Sequence, residues 1–328
     1  MAPAAPLGMP SRPQLQGSLR WRHRVGALLL ALLPVAVQAA PPPLILRLQG
    51  HAAAGCLRQG ALRVEAAVRP AGAVDGQPVT APRLQVRVGS RLVGQLEGLA
   101  TAGPPGAVVQ IAEMDPANPF PEVLLSSFSG GAHCCRRTQA LRADAGGRQW
   151  RELSLGPLNG GPAAAEDPLG DGRFRLVDAD NRFLYRFGCY ACGTTPVRVW
   201  ELQGDRFVDV SHQGAFQPLH RRWLAYQEEW FALADPPDAN AFLAGYVASK
   251  ALVGEFDDGW QRMLRHHDRR SRWGLSLCEG GRDADGACLG RERQARSFPQ
   301  ALRAFLVDTG YLSPAPALPA PASGPACR

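Results

Sequence analysis

Two stretches of the chain echo one another in order and spacing, and such a repeat confines the fold to copies of one supersecondary unit set side by side. The first begins Glu113-Met-Asp115-Pro-Ala-Asn118, continues through Glu122-Val-Leu-Leu125 and reaches Cys134 and Cys135. The second begins Glu166-Asp167-Pro-Leu-Gly-Asp171-Gly172, continues through Phe174-Arg-Leu176 and reaches Cys189 and Cys192. Glu113 and Asp167, Asn118 and Asp171, and Cys134 and Cys189 are 54, 53 and 55 residues apart. Each unit reads as an acidic turn, a strand and then cysteines, with the copies at about 108–150 and 163–212.

The N-terminus sets the compartment. Residues 1–39 carry Arg12, Arg20, Arg22 and Arg24 with no acid, an apolar run at 25–37, and Val37-Gln38-Ala39, a small-residue site of the kind signal peptidase cuts. Pro34 interrupts the run, which is shorter than the roughly 20 apolar residues a spanning helix needs. Cleavage near Ala39 is therefore expected, giving a periplasmic or secreted protein with no transmembrane segment. Losing four arginines and no acid takes the formal charge from +7 to +3, which argues against a nucleic-acid partner. Lys250 is the sole lysine among 36 basic residues, a bias that points to a GC-rich, Gram-negative bacterial genome rather than to a basic patch.

Residues 40–212 read as β structure. Short apolar or alternating runs at 44–48, 62–68, 84–88, 108–112, 123–128 and 197–202 are bounded by Gly, Pro and Asp. Gly204-Asp205 is the turn of a tight hairpin joining 197–202 to 207–210. From residue 213 the period changes. Phe216, Leu219, Trp223, Tyr226, Trp230 and Leu233 step by threes and fours, an apolar stripe on a helix that Pro236-Pro237 ends. A second helix carries Phe242, Leu243, Tyr246, Val247 and Val253, and a third runs from about 256 to 270 with Phe256, Trp260, Met263 and Leu264 inward. The fourth opens with Ser297 and Gln300 placed as a capping box and stops at Gly310. These residues predict an α+β fold, an antiparallel meander with blade-like repeats followed by a helical module at 213–312. A Pro/Ala tail at 313–328 is expected to stay unstructured.

The segments Pro121-Glu122-Val-Leu-Leu125, Ser129-Gly-Gly-Ala-His133-Cys-Cys135, Asp167-Pro-Leu-Gly-Asp171-Gly172-Arg-Phe174-Arg-Leu176 and the hairpin at 200–210 resemble exported bacterial proteins with degenerate FG-GAP or VCBS-type repeats. The resemblance covers about residues 105–212. It implies propeller-like β-blades, a scaffold without catalytic residues, and acidic turns that hold calcium in better-preserved members.

Calcium takes six to eight oxygens, so a useful loop sets carboxylates at alternate positions with a glycine at the sharp turn. Asp167 and Asp171 fit that pattern with Gly172, although Leu169 stands where an oxygen ligand belongs; Glu113, Asp115 and Asn118 are the counterparts in the first unit. The plainer alternative is that Asp and Asn are there to make turns.

Cysteines in an exported chain are first read as disulfides. Cys278 and Cys288 bracket a Gly/Asp loop whose closure is worth about 2 to 3 kcal/mol. Cys134 and Cys135 hold the place in their unit that Cys189 and Cys192 hold in theirs, so a cross-link between the two pairs is expected; Cys56 and Cys327 remain, paired or free. Two sharper readings of the same thiols, a Cys189–Cys192 redox centre and zinc on His133, Cys134, Cys189 and Cys192, lack the helix N-terminus and the paired ligand spacing those sites require.

No serine sits in a Gly-x-Ser-x-Gly context, no glycine loop precedes a helix with Lys, and His266-His267 reads as a solvated helix end. The expected role is a non-enzymatic structural or binding component of the envelope. Its partner would be a protein or glycan met by the loops at 129–133 and 193–196, with His133 and Tyr190 as contact residues. The alternatives are a hydrolase with its site between sheet and helices and a calcium-dependent adhesion or sensing module.

Overall fold

The computed structural model describes residues 43–233, 239–283 and 286–313. The cleavage site, Cys327 and the Pro/Ala tail lie outside these. Within them the chain is an antiparallel β assembly followed by helices, as an α+β protein.

The first ten strands are β1 (Leu44–Gln49), β2 (Ala54–Gln59), β3 (Leu62–Val74), β4 (Gln77–Val88), β5 (Arg91–Glu97), β6 (Gly106–Ala112), β7 (Glu122–Phe128), β8 (Cys134–Ala143), β9 (Trp150–Asn159) and β10 (Leu176–Ala179). They are followed by β11 (Val197–Gln203) and β12 (Arg206–Asp209). Three antiparallel sheets result, ordered β2-β3-β4-β5, β1-β6-β7-β8-β9 and β10-β11-β12. All three are open, so no propeller closes among the described residues, and the propeller-like arrangement expected of the blades is not what forms.

The sheets stack because their side chains alternate as a pleat requires. Inward residues of β3 and β4, among them Leu62, Val64, Leu84 and Val86, meet Leu48, Val109, Ile111, Val123 and Leu125 of the five-stranded sheet. The opposite face of that sheet, with Ala112, Leu124 and Ala140, packs on Leu176 and Leu202 of the three-stranded one and on Phe174 just before it. The middle sheet is covered on both sides, so β6 and β7 are buried almost throughout. That burial brings polar groups inside, and each needs a partner. Gln110 supplies one solution: its amide nitrogen donates to Ala165 O at 3.0 Å and its oxygen accepts from Ala165 N at 2.7 Å, imitating a strand pair.

The helices are α1 (Gln217–Leu233), α2 (Ala239–Leu252), α3 (Phe256–His266) and α4 (Phe298–Asp308), with a hairpin of β13 (Ser276–Glu279) and β14 (Arg291–Gln294) between the last two. Helix α2 is buried on nearly every side, as its Ala-rich apolar sequence allows. In α1 the inward line differs from the expected stripe: Tyr226 is 57% exposed, while Leu224, His220 and Gln227 are buried. The reason is polar. Gln227 donates to Thr194 Oγ1 at 2.9 Å, Trp223 donates to Thr195 O at 2.7 Å, and these bonds set the rotation of the helix. At α4, Ser297 accepts from Gln300 N and Gln300 Oε1 accepts from Arg296 N, a capping box displaced by one residue on its return bond. Helix α3 stops at His266, short of the expected 270, where His267 turns extended and its ring donates back to the carbonyls of Met263 and Leu264.

One β-side segment belongs to the helical core. Phe183 and Phe187, which follow β10, pack edge-on against Phe305 at 5.0 and 5.5 Å, and Phe187 also meets Phe298 at 5.2 Å. Asp180 directs this insertion. Its side chain is fully buried, pairs with Arg182 at 2.6 Å and accepts from Tyr311 Oη at 2.8 Å just beyond α4. The next loop is docked as tightly: a Cβ at Gly245 would fall 2.0 Å from Thr194 O, so α2 accepts the loop at 193–196 only because that position is glycine. The loop at 193–196 is therefore not the binding surface expected of it.

Removing one partner of a buried, hydrogen-bonded pair leaves an uncompensated charge. Asp180→Asn should lower the unfolding free energy by about 3 kcal/mol or more, read by urea denaturation; a loss within error would show that the pair contributes nothing to docking the segment.

Candidate functional site

The two acidic turns lie side by side and are bonded to each other. Phe174 N donates to Glu113 O at 2.7 Å, and Arg173 Nε donates to Met114 O at 2.7 Å. In the first turn the organising group is Glu122, fully buried at the start of β7. Its carboxylate accepts from Met114 N at 2.8 Å, Asp115 N at 3.2 Å and Asn118 Nδ2 at 2.7 Å. Burial pushes the Glu122 carboxyl up to about 7, despite those donors, with nearby Glu113 adding to the rise. Arg142 closes the turn by donating to Asp115 through Nη2 at 2.6 Å and Nε at 3.1 Å. The guanidinium and the Ala117 N–H hold the Asp115 carboxyl below its ordinary value against a burial effect that opposes them.

The second turn is built alike. Asp167 accepts from Asp171 N and Gly172 N at 3.2 and 2.8 Å. Asp171 takes both Nη groups of Arg175 at 2.8 and 2.9 Å, and this pairing draws its carboxyl down to about 2. Arg175 also reaches Glu201 at 3.1 Å.

The calcium expectation for Asp167, Asp171, Glu113, Asp115 and Asn118 is not met by this geometry. Backbone N–H groups engage Asp167, Arg142 engages Asp115 and Arg175 engages Asp171, while Glu113 Oε1 is buried without a partner, and among the described residues no three His, Cys, Asp or Glu side chains converge on one point. A guanidinium stands where the positive charge of an ion would be needed.

The expected cross-link between repeats is corrected as well. Cys134 bonds to its neighbour Cys135, and Cys189 to Cys192, whose Cα atoms are 5.0 Å apart. The local turn explains the second pair, since Cys192 N donates to Cys189 O at 3.1 Å and brings the two thiols together within one loop. Cys278 and Cys288 are bridged across the β13–β14 loop, and Cys56 is an exposed thiol.

His133 and Tyr190 come together beside both of the local disulfides. Their rings stack at 4.2 Å between centroids. Tyr185 joins them at 5.5 Å from His133 and 5.6 Å from Tyr190. His133 Nδ1 lies 3.1 Å from Asn159 Oδ1, which places the ring proton there and leaves Nε2 to accept from the Tyr185 hydroxyl at 2.9 Å. Tyr185 is half-exposed and has φ of +58°, a left-handed conformation that costs a non-glycine residue about 1 kcal/mol or more and concentrates at binding sites. Trp273 steadies it, donating from Nε1 to Tyr185 O at 2.9 Å.

Tyr185 and Trp273 are also at the edge of a cavity of about 590 Å³ that holds Arg182, Arg186, Arg272 and Arg282. Burial and the charge of Arg282 bring the Arg186 guanidinium down to about 10. Gly274 makes the close approach possible: its φ is +66°, and a Cβ there would sit 1.9 Å from Arg186 O. None of Tyr185, Arg186, Trp273 or Arg282 falls in a recognisable spacing. The one visible hint was the density of arginine and aromatic residues at 182–187.

Fold and site thus define an α+β protein with locally closed disulfides and an aromatic and arginine-rich surface where the β-sheets meet the helical core. Residues 220–310 match the sll0997 C-terminal domain family. The chain is 42% identical over 240 residues, 73% of its length and 70% of the relative's, to the probable thylakoid lumen protein sll0997 of Synechocystis sp. strain ATCC 27184 / PCC 6803 / Kazusa. It is 35% identical over 210 residues to the uncharacterized protein y4bJ of Sinorhizobium fredii strain NBRC 101917 / NGR234, covering 63% of this chain and 33% of that one, so it spans about a third of that relative. The chain belongs to the sll0997 family. No solved structure matches it.

Two measurements follow from the acidic turns. Melting curves in millimolar calcium and in EDTA should coincide, because an ion that bound the native turns would raise the transition by mass action; a calcium-dependent rise would show that ligands displace Arg142 or Arg175. Glu122 sets a pH dependence. Its folded value of about 7 exceeds the ordinary 4.5, so its contribution is complete below 4.5 and is lost as pH rises through 7. Glu122→Gln should flatten the fall in melting temperature over that window, and equal slopes in the two proteins would refute the assignment.

Proposed function

We propose that the chain is an exported, non-enzymatic binding protein of the bacterial envelope, and that it engages a saccharide through the His133, Tyr185 and Tyr190 cluster. The observation that carries the reading is the 4.2 Å stack of His133 on Tyr190. Flat rings with a polar edge suit a sugar, which offers apolar C–H faces and hydroxyls together. His133 is held in one tautomer by Asn159 and Tyr185, so the surface is preorganised and its polar atoms are oriented before a ligand arrives. Export is supported by the arginine-rich, apolar N-terminus and by paired cysteines, which persist in oxidising compartments. A relative named for the thylakoid lumen supports it too. On this reading the FG-GAP-like acidic turns serve as rigid corners that fix the strands leading to the cluster.

Binding of mature protein to isolated cell-wall sacculi and to an oligosaccharide array checks the proposal. His133→Ala and Tyr190→Ala should each weaken retention about tenfold, the scale of one lost aromatic stack, with melting temperatures near that of the parent. Equal retention by parent and both variants would refute the cluster as the surface.

A further inference from the structure

In the arginine cavity beside the aromatic cluster two guanidiniums, Arg186 and Arg282, face the carboxylates of Glu292 and Asp308 without completing their hydrogen bonds, although Arg282 Nη1 does donate to Gly286 O at 2.9 Å. Arg282 has a side chain 4% exposed, with Glu292 at 3.9 Å and Asp308 at 3.4 Å. The Asp308 contact is misaligned for a hydrogen bond, and Arg282 Nε is buried without an acceptor. Arg186 forms no ion pair among the described residues. Its Nη2 donates to Ser276 O at 2.8 Å, and its Nε is likewise buried without a partner. Both guanidiniums lie over the ring of Phe305, at 5.4 and 5.5 Å, so two like charges share one apolar wall. Burying cations with unused donors is costly unless an acceptor completes them. A carboxylate or phosphate is the natural complement, because its oxygens take guanidinium forks in pairs.

We propose that this cavity binds the carboxylate or phosphate group of an acidic saccharide, with Arg186 and Arg282 holding the anion. This rests on the saccharide reading of the adjacent cluster and adds the class of sugar. Size supports it: at about 590 Å³ the cavity far exceeds a single oxyanion. Half-exposed Trp273 and Tyr185 bound its mouth and continue toward His133, so a sugar ring carrying the anion has aromatic surface within reach. Arg272, exposed at the same mouth, adds charge that draws an anion in.

The test is titration of the mature protein, followed by Trp273 fluorescence and calorimetry, with an oligogalacturonide, a neutral galacto-oligosaccharide, glucose 6-phosphate and inorganic phosphate. The expected result is at least a tenfold preference for the acidic sugars over the neutral one, abolished in Arg186→Gln and reduced in Arg272→Gln. Arg272 is a surface residue, so that variant reports even if Arg186→Gln fails to fold. Glucose 6-phosphate against oligogalacturonide tells whether phosphate or carboxylate is preferred. Neutral and acidic sugars bound equally, with both variants unchanged, would overturn the anion site while leaving the aromatic surface standing. Inorganic phosphate bound in an Arg186-dependent way, with no saccharide bound, would overturn the saccharide reading and with it the acidic-sugar proposal.

Discussion

The buried carboxylate of Asp180 is the point on which the rest of the architecture turns. It ends β10, accepts from Arg182 N to start the short 3-10 turn at Asn181–Phe183, and reaches Tyr311 Oη beyond the last helix. Through those bonds a β-sheet edge and the end of α4 share one ion. Phe183 and Phe187 then enter the helical core, and between them stand Tyr185 and Arg186. The candidate surface is thus a by-product of docking: the same insertion that fills the core with phenylalanines presents tyrosine and arginine at its rim.

Arginine carries much of the polar architecture in this chain. Arg142 closes the first acidic turn, Arg175 the second, and Arg136 joins Asp178 across from β8 to β10. A guanidinium suits this work because it is always charged and donates in a fixed fork to two oxygens or to two elements at once. Arg173 illustrates the second use, bonding Met114 O in the first acidic turn and Leu202 O in β11. Such pairs contribute less net stability than their number suggests, since each pays desolvation. Their effect is on register: the acidic turns have one arrangement that satisfies all the donors.

Part of the element order was legible in the residues because it rests on local period, while β2, β5, β8, β9 and the β13–β14 hairpin were not read. The alternating runs, the Gly204-Asp205 hairpin and the Ser297 cap all follow from neighbours within a few positions, and all appear. What local period does not carry is what faces what. The stripe on α1 was misplaced because Gln227 turns inward to reach Thr194, and that threonine is 33 residues away. Glu122 was visible only as part of a motif, and its burial follows from a sheet covered on both faces. The disulfides ran against expectation for a similar reason: equivalence between repeats suggested long-range pairing, whereas the turn at 189–192 closes locally. His133 and Tyr190 were visible as candidate contact residues beside the cysteines, but Arg186 and Arg282, separated by 96 residues, meet only when the β13–β14 hairpin folds over the inserted segment.

Tyr185 ties the energetics of the insertion to the site. Its left-handed backbone is unfavourable in isolation, and three contacts hold it there: the Trp273 indole on its carbonyl, His133 on its hydroxyl, and the close approach at Gly274 on the following residue. Two of these come from the hairpin side and one from the loop before β8. A residue held from both directions cannot relax without loosening one of them, so ring position at the surface is coupled to the packing of the helical core beneath. Strain sustained by surrounding structure in this way is the physical meaning of a preorganised site: the cost of orienting the tyrosine is met during folding, and a ligand meets a surface already in its binding geometry.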